Sequence, residues 1–95
     1  MATYPKIKSV VPLAGKRLRV TFVSGETKTY DCGRLLDELP FYALRDDAFF
    51  NNVHVDQGGY GIIWNDSVDL SESELWLHGE TEAAPLSEQG ETLGD

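Results

Sequence analysis

The segment from Phe49 to Leu77 limits what this chain can fold into more than any other stretch. It reads FFNNVHVDQGGYGIIWNDSVDLSESELWL and holds both tryptophans together with the densest run of turn and capping signals. Val53-His54-Val55-Asp56 and Tyr60-Gly61-Ile62-Ile63-Trp64 read as two strands joined by a Gln57-Gly58-Gly59 turn. Asn65-Asp66 turns the chain again, and Val68-Asp69-Leu70 leads into Ser71-Glu72-Ser73-Glu74. That tetrad is a capping box: Ser71 accepts from the Glu74 amide and Glu74 is expected to reach back. Leu70 and Leu75 flank it at the positions of a hydrophobic staple, and the helix 72–78 stops at Gly79. The segment is a folding unit rather than a catalytic one.

It needs a partner to bury its apolar face, and the N-terminal third supplies one. From Arg17 to Val23 the chain alternates, with Leu18, Val20 and Phe22 on one side and Arg17, Arg19 and Thr21 on the other, the pattern of a half-buried strand. Ser24-Gly25 closes a hairpin. A three-residue loop, Val23-Ser24-Gly25, with Gly25 left-handed, pairs residue 22 with 26 and 18 with 30. Tyr30 then joins Leu18 and Val20 on the apolar face, and Lys28 falls on the inner face near its rim. A two-residue loop would send Tyr30 to the charged side. Lys6 to Val11 reads as a first strand at a sheet edge, bracketed by Pro5 and Pro12. Residues 33–39 read as a helical turn ended by Pro40, and 42–50 as a second short helix stopped by Asn51-Asn52.

Ninety-five residues make one domain with a single modest core. The expected core is Leu18, Val20, Phe22, Tyr30, Leu36, Phe49, Val55, Ile62, Trp64, Leu70 and Leu75. The domain spans 1–79; residues 80–95, with two leucines, no aromatics and five acids, read as a disordered acidic tail. One cysteine excludes an internal disulfide framework, and neither a leader nor a membrane-spanning run is visible, so a cytoplasmic location is expected.

The net charge of −8 is split: residues 1–34 carry seven basic and two acidic side chains, and 35–95 carry one basic and fourteen acidic. That balance opposes approach to phosphate backbones, so nucleic-acid binding by this chain alone is not expected. The basic residues Lys6, Lys8, Lys16, Arg17 and Arg19 form the candidate interaction face. Protection against edge-to-edge association is the preferred reading of such a strand face, ahead of docking an acidic partner or nucleic acid. His54 and His78 lack the spacing and companions of a metal site. Asp56 to Gly61 has the glycines of a phosphate loop but no Gly-Lys-Ser/Thr ending, and a hairpin turn explains it. Cys32 reads as a buried structural thiol. No nucleophile–base constellation is legible, so no catalytic residue, metal or cofactor is assigned and the chain reads as non-enzymatic.

Taken in order, these segments resemble the bacterial family called domain of unknown function 2442. The resemblance is carried by Pro5-Lys6-Ile7-Lys8-Ser9-Val10-Val11-Pro12-Leu13, by the Leu18–Glu26 hairpin, by Tyr30-Asp31 with Leu35-Leu36, and by Phe50, Val53–Asp56 and Ile62–Leu70. It implies an α+β domain with an antiparallel sheet and no known catalytic residues. Some members of the family continue into a helix-turn-helix domain, and some are similar to antitoxins encoded beside a small toxin-like protein. Residues and resemblance together give the expectation of a mainly antiparallel five- or six-stranded sheet with short helices packed on one face. In function they point to a protein-interaction module, antitoxin-like or a regulatory subunit. The alternative is a nucleic-acid-binding accessory using the basic hairpin face.

Overall fold

The computed structural model describes residues 4–81. The chain runs through β1 (Ile7–Leu13), β2 (Arg17–Phe22), β3 (Thr27–Asp31), two 3-10 segments (Gly33–Leu35 and Leu39–Arg45), α1 (Asp47–Phe50), β4 (His54–Val55), β5 (Gly61–Asn65), β6 (Val68–Ser71), α2 (Glu72–His78) and β7 (Glu80–Thr81). The architecture is α+β with antiparallel strand pairing.

The β2–β3 hairpin has the expected register. Leu18 pairs with Tyr30, the Phe22 N–H donates to the Glu26 carbonyl at 2.8 Å, and Gly25 sits at φ 99°. That torsion is open to glycine and strained for a residue with a side chain. Leu18, Val20, Phe22 and Tyr30 consequently share one face and are fully buried. Lys28 falls opposite Val20 on the same face, where its Nζ lies 4.1 Å from the Trp76 ring centroid and donates to the Trp76 carbonyl at 2.6 Å. A lysine on an apolar face is thus accommodated by capping the last turn of α2.

The strands do not form one sheet of five or six. They divide into a four-stranded sheet in the order β1-β2-β3-β7 and a three-stranded sheet in the order β4-β5-β6. The division falls beside β1, whose ladder with β2 shifts register between Ile7 and Ser9, and β4 is two residues long. At the junction the Ile7 N–H donates to the Gly59 carbonyl at 2.8 Å. A Cβ at Gly59 would lie 3.0 Å from the Ile7 carbonyl oxygen, so the turn can press against β1 because it carries glycine. β1 also runs through Pro12, which pairs with Leu18 instead of ending the strand.

Both sheets contribute to one core. Ile62, Trp64, Val68 and Leu70 from the second sheet and Leu75 from α2 are buried with the hairpin residues. Phe22 meets Trp76 edge to face at 5.1 Å. Leu36, Phe49 and Val55, expected in the core, are only partly buried; Ile7, Cys32, Leu35, Leu44 and Phe50 are buried instead. The exchange of Phe49 for Phe50 follows from a helix boundary. The expected 42–50 helix is broken at Asp46, which is extended (ψ 122°) and caps α1 by accepting from the Phe49 N–H at 2.9 Å. The restart changes the phase by which residues face inward. The Trp64 indole N–H donates to the Phe50 carbonyl at 2.9 Å and fixes α1 on the second sheet. Pro40 opens the second 3-10 segment, since proline suits a first helical turn.

The Ser71 hydroxyl accepts from the Glu74 N–H at 3.2 Å, as a cap should. Ser71→Ala is expected to lower stability by about 1 kcal/mol. An unchanged denaturant midpoint would show the cap to be redundant. Glu80 and Thr81, placed in the tail from sequence, pair with Thr29 and Lys28 and extend the first sheet. The remainder of the expected tail, 82–95, lies outside the described residues.

Candidate interaction surface

Glu74 does not complete the capping box. Its carboxylate turns toward β3, where Oε2 accepts the Tyr30 hydroxyl at 2.7 Å. The same oxygen lies 3.2 Å from His78 Nδ1, one turn along α2, and 3.6 Å from the Arg34 guanidinium. Arg34 also lies over the Tyr30 ring at 5.7 Å. Burial pushes the Tyr30 phenol up to about 12, with the Arg34 contact opposing that shift and Glu74 adding to it. Tyr30 is therefore a neutral donor under ordinary conditions and not a base. The cluster ties β3, the first 3-10 segment and α2 together.

Two concavities meet at it. One, of about 440 Å³, is lined by the polar and charged residues Arg17, Thr29, Asp31, Arg34, His78 and Glu80. The other, of about 600 Å³, lies between the 3-10 segments and the β6–α2 junction. Leu35, Phe41 and Leu70 give it an apolar floor, and Glu38, Asp69 and Glu74 stand on its rim with Arg34 and His78 at one end. Leu39, next in the chain to Glu38, is 77% exposed, the most exposed large apolar side chain of the described chain.

The five basic residues expected to form one face are dispersed. Arg17 and Arg19 stay on the outer face of β2, opposite Asp31 and Thr29. Lys8 sits at the β1 irregularity, and Lys6 lies 4.9 Å from the Tyr60 ring centroid. Lys16, at φ 59°, is turned to the far end, where it pairs with Asp47, donates to the Arg45 carbonyl at 3.2 Å and lies 5.4 Å from the Phe50 ring. Proximity in sequence does not become a shared surface here, because the strand irregularity and the turn redirect two of the five.

His54 is exposed on β4, with Nδ1 3.4 Å from the Asn52 carbonyl. Asp56 closes its turn by accepting from the Tyr60 N–H at 2.8 Å, as a hairpin turn requires. Cys32 is buried, and desolvation, followed by the charge of Asp31, pushes its thiol up to about 12. No group of three or more His, Cys, Asp or Glu side chains able to hold a metal occurs among the described residues. None of the described helices is long and apolar enough to cross a membrane.

The family described as "Protein of unknown function (DUF2442)" matches residues 7–81. The chain belongs to this family. The DUF2442 match takes in both sheets and the cluster around Glu74, and it ends where β7 ends. No curated protein matches the chain. Among solved structures it is similar to a protein of Nitrosomonas europaea provisionally described as DNA-binding, with 28% identity and a TM-score of 0.70. The likeness covers 82% of this chain and 52% of that one, so the chain spans about half the length of this neighbour.

Proposed function

We propose that this DUF2442 domain is a non-catalytic, cytosolic protein-interaction module, acting as an antitoxin-like or regulatory subunit toward one specific protein. The observation that carries this reading is the apolar-floored groove, with the exposed Leu39 next in the chain to its Glu38. A concave surface of that size with an apolar floor and polar rim is what a partner's side chains need. The side chains nearest to chemistry are already engaged: Glu74 is shared by Tyr30, His78 and Arg34, and the one thiol is buried. Among the described residues, Ser71 and His78 on the groove are not joined to each other, since Ser71 meets Ser73 and the Glu74 amide while His78 meets the Glu74 carboxylate, and no metal set occurs.

The second reading, a nucleic-acid-binding accessory, is favoured by the neighbour from Nitrosomonas europaea and by Arg17 and Arg19 on the outer sheet face. Against it stands the charge around those residues: Asp31 lies opposite Arg17 in the β2–β3 ladder, and Glu80 lies beyond Thr29 on the same sheet. That neighbour is about twice as long, and the likeness takes in only 52% of it.

The two readings separate in one pair of measurements. Anisotropy of a labelled DNA duplex should show weak binding that vanishes near physiological salt, while purification of the tagged chain from its native cell should carry one protein with it. A sub-micromolar, sequence-selective affinity for duplex at that salt would reverse the order of the two readings.

A further inference from the structure

We infer that the groove receives an apolar side chain of the partner that is flanked by lysine or arginine. This rests on the interaction-module reading and adds the chemistry of the partner. Of the three rim carboxylates, Glu74 is held by Tyr30, His78 and Arg34. Glu38 and Asp69 differ: no hydrogen bond or ion pair within the described residues engages either side chain. Glu38 precedes the second 3-10 segment and Asp69 lies on β6, so the two come from different elements, and both line the groove together with Leu35, Phe41 and Leu70.

Arg34, the one arginine lining the groove, is taken up by Glu74, and the chain that follows it is strongly acidic. Residues 35–81 contain Arg45 as their single basic side chain and ten acids, Asp37, Glu38, Asp46, Asp47, Asp56, Asp66, Asp69, Glu72, Glu74 and Glu80. Arg45 is itself engaged with Asp37 at 2.9 Å and with the Leu36 carbonyl at 2.8 Å. Two carboxylates without partners, on separate elements that share an apolar lining, favour an apolar side chain flanked by cations. The floor supplies the area removed from water, and the rim sets orientation and approach. The same carboxylates repel phosphate, so the occupant is a protein segment and not a nucleic acid.

The test uses the full chain, isotopically labelled, titrated with two synthetic peptides: acetylated Lys-Leu-Leu-Lys amide and its Glu-Leu-Leu-Glu counterpart. The lysine peptide should give saturable amide shifts at Leu35, Phe41 and Leu70, and the glutamate peptide should not. Glu38→Lys combined with Asp69→Lys should weaken the lysine peptide by about fivefold to tenfold, the sum of two rim ion pairs, at an unchanged thermal midpoint. Equal response to both peptides, shifts centred elsewhere, or no saturable shift at the groove would overturn the inference. If a native protein partner co-purifies all the same, only the partner chemistry fails and the interaction-module reading stands.

Discussion

Replacing Gly61 by valine is expected to unfold the domain or leave it barely stable at room temperature. Gly61 opens β5 opposite Ser71, and a Cβ there would lie 2.6 Å from the Leu70 carbonyl oxygen and 3.5 Å from the Ser71 Cα. Both are backbone atoms of a paired strand, so the clash cannot be relieved by a side-chain rotation. Relief requires β5 and β6 to separate at the point where Ile62 and Leu70 enter the core and where the Glu72 N–H donates to the Tyr60 carbonyl at 2.9 Å. Forced overpacking of this kind costs about 1–3 kcal/mol, and opening the strand pair adds to it. A small domain has about 5–15 kcal/mol in total. Gly61→Ala should lose stability by a smaller margin in the same direction. Urea midpoints for the two variants check the order, and a valine variant as stable as the parent would mean that β5 and β6 do not approach this closely.

The second large effect is alkaline. Burial raises the Cys32 thiol from an ordinary 9.0 to about 12, and the Tyr30 phenol from 10.0 to about 12. In both cases the folded state holds the proton more tightly than the unfolded chain. Their contribution is fully present below the unfolded values and is lost as pH rises from about 9 through 12. The combined loss is a large part of the stability of such a domain. Stability should therefore fall steeply across that window, with Cys32 acting first because its unfolded value is lower. In Cys32→Ala the fall should begin later, at the ordinary phenol value of 10.0. A stability that is flat across the window would mean that water reaches the thiol and the phenol.

These two effects sit on features that were not equally visible in the sequence. The hairpin that buries Tyr30 was legible because alternation over Leu18, Val20 and Phe22, together with Gly25, admits one register that keeps the tyrosine inside. The Ser71 cap was legible because its partner amide is three residues away. The use of Glu74 was not. Its i, i+4 spacing to His78 is a local signal, but Tyr30 is 44 residues distant and nothing near either residue announces the contact. Likewise the division into two sheets depends on an irregularity in β1 and on a two-residue β4, which hydrophobic patterning does not encode. The basic residues were legible as charges but not as a surface, since Lys16 leaves its neighbours at a positive φ to meet Asp47. The groove was missed for a related reason. Leu35, Phe41 and Leu70 come from three separate segments, and the restart at Asp46 and the opening at Pro40 set the course of the chain between them.

The most direct test of the account is crosslinking in the native cell from two positions of the same chain. A photoreactive side chain replaces Leu39, next in the chain to Glu38 of the groove, in one variant and Val11, on the outer face of β1 opposite Arg19, in the other. Both positions are exposed, so neither change should disturb folding. The variant altered at Leu39 should capture one protein reproducibly, and the one altered at Val11 should capture neither that protein nor nucleic acid. Capture from Val11 alone, and above all capture of nucleic acid there, would place the working surface on the sheet face and contradict the account.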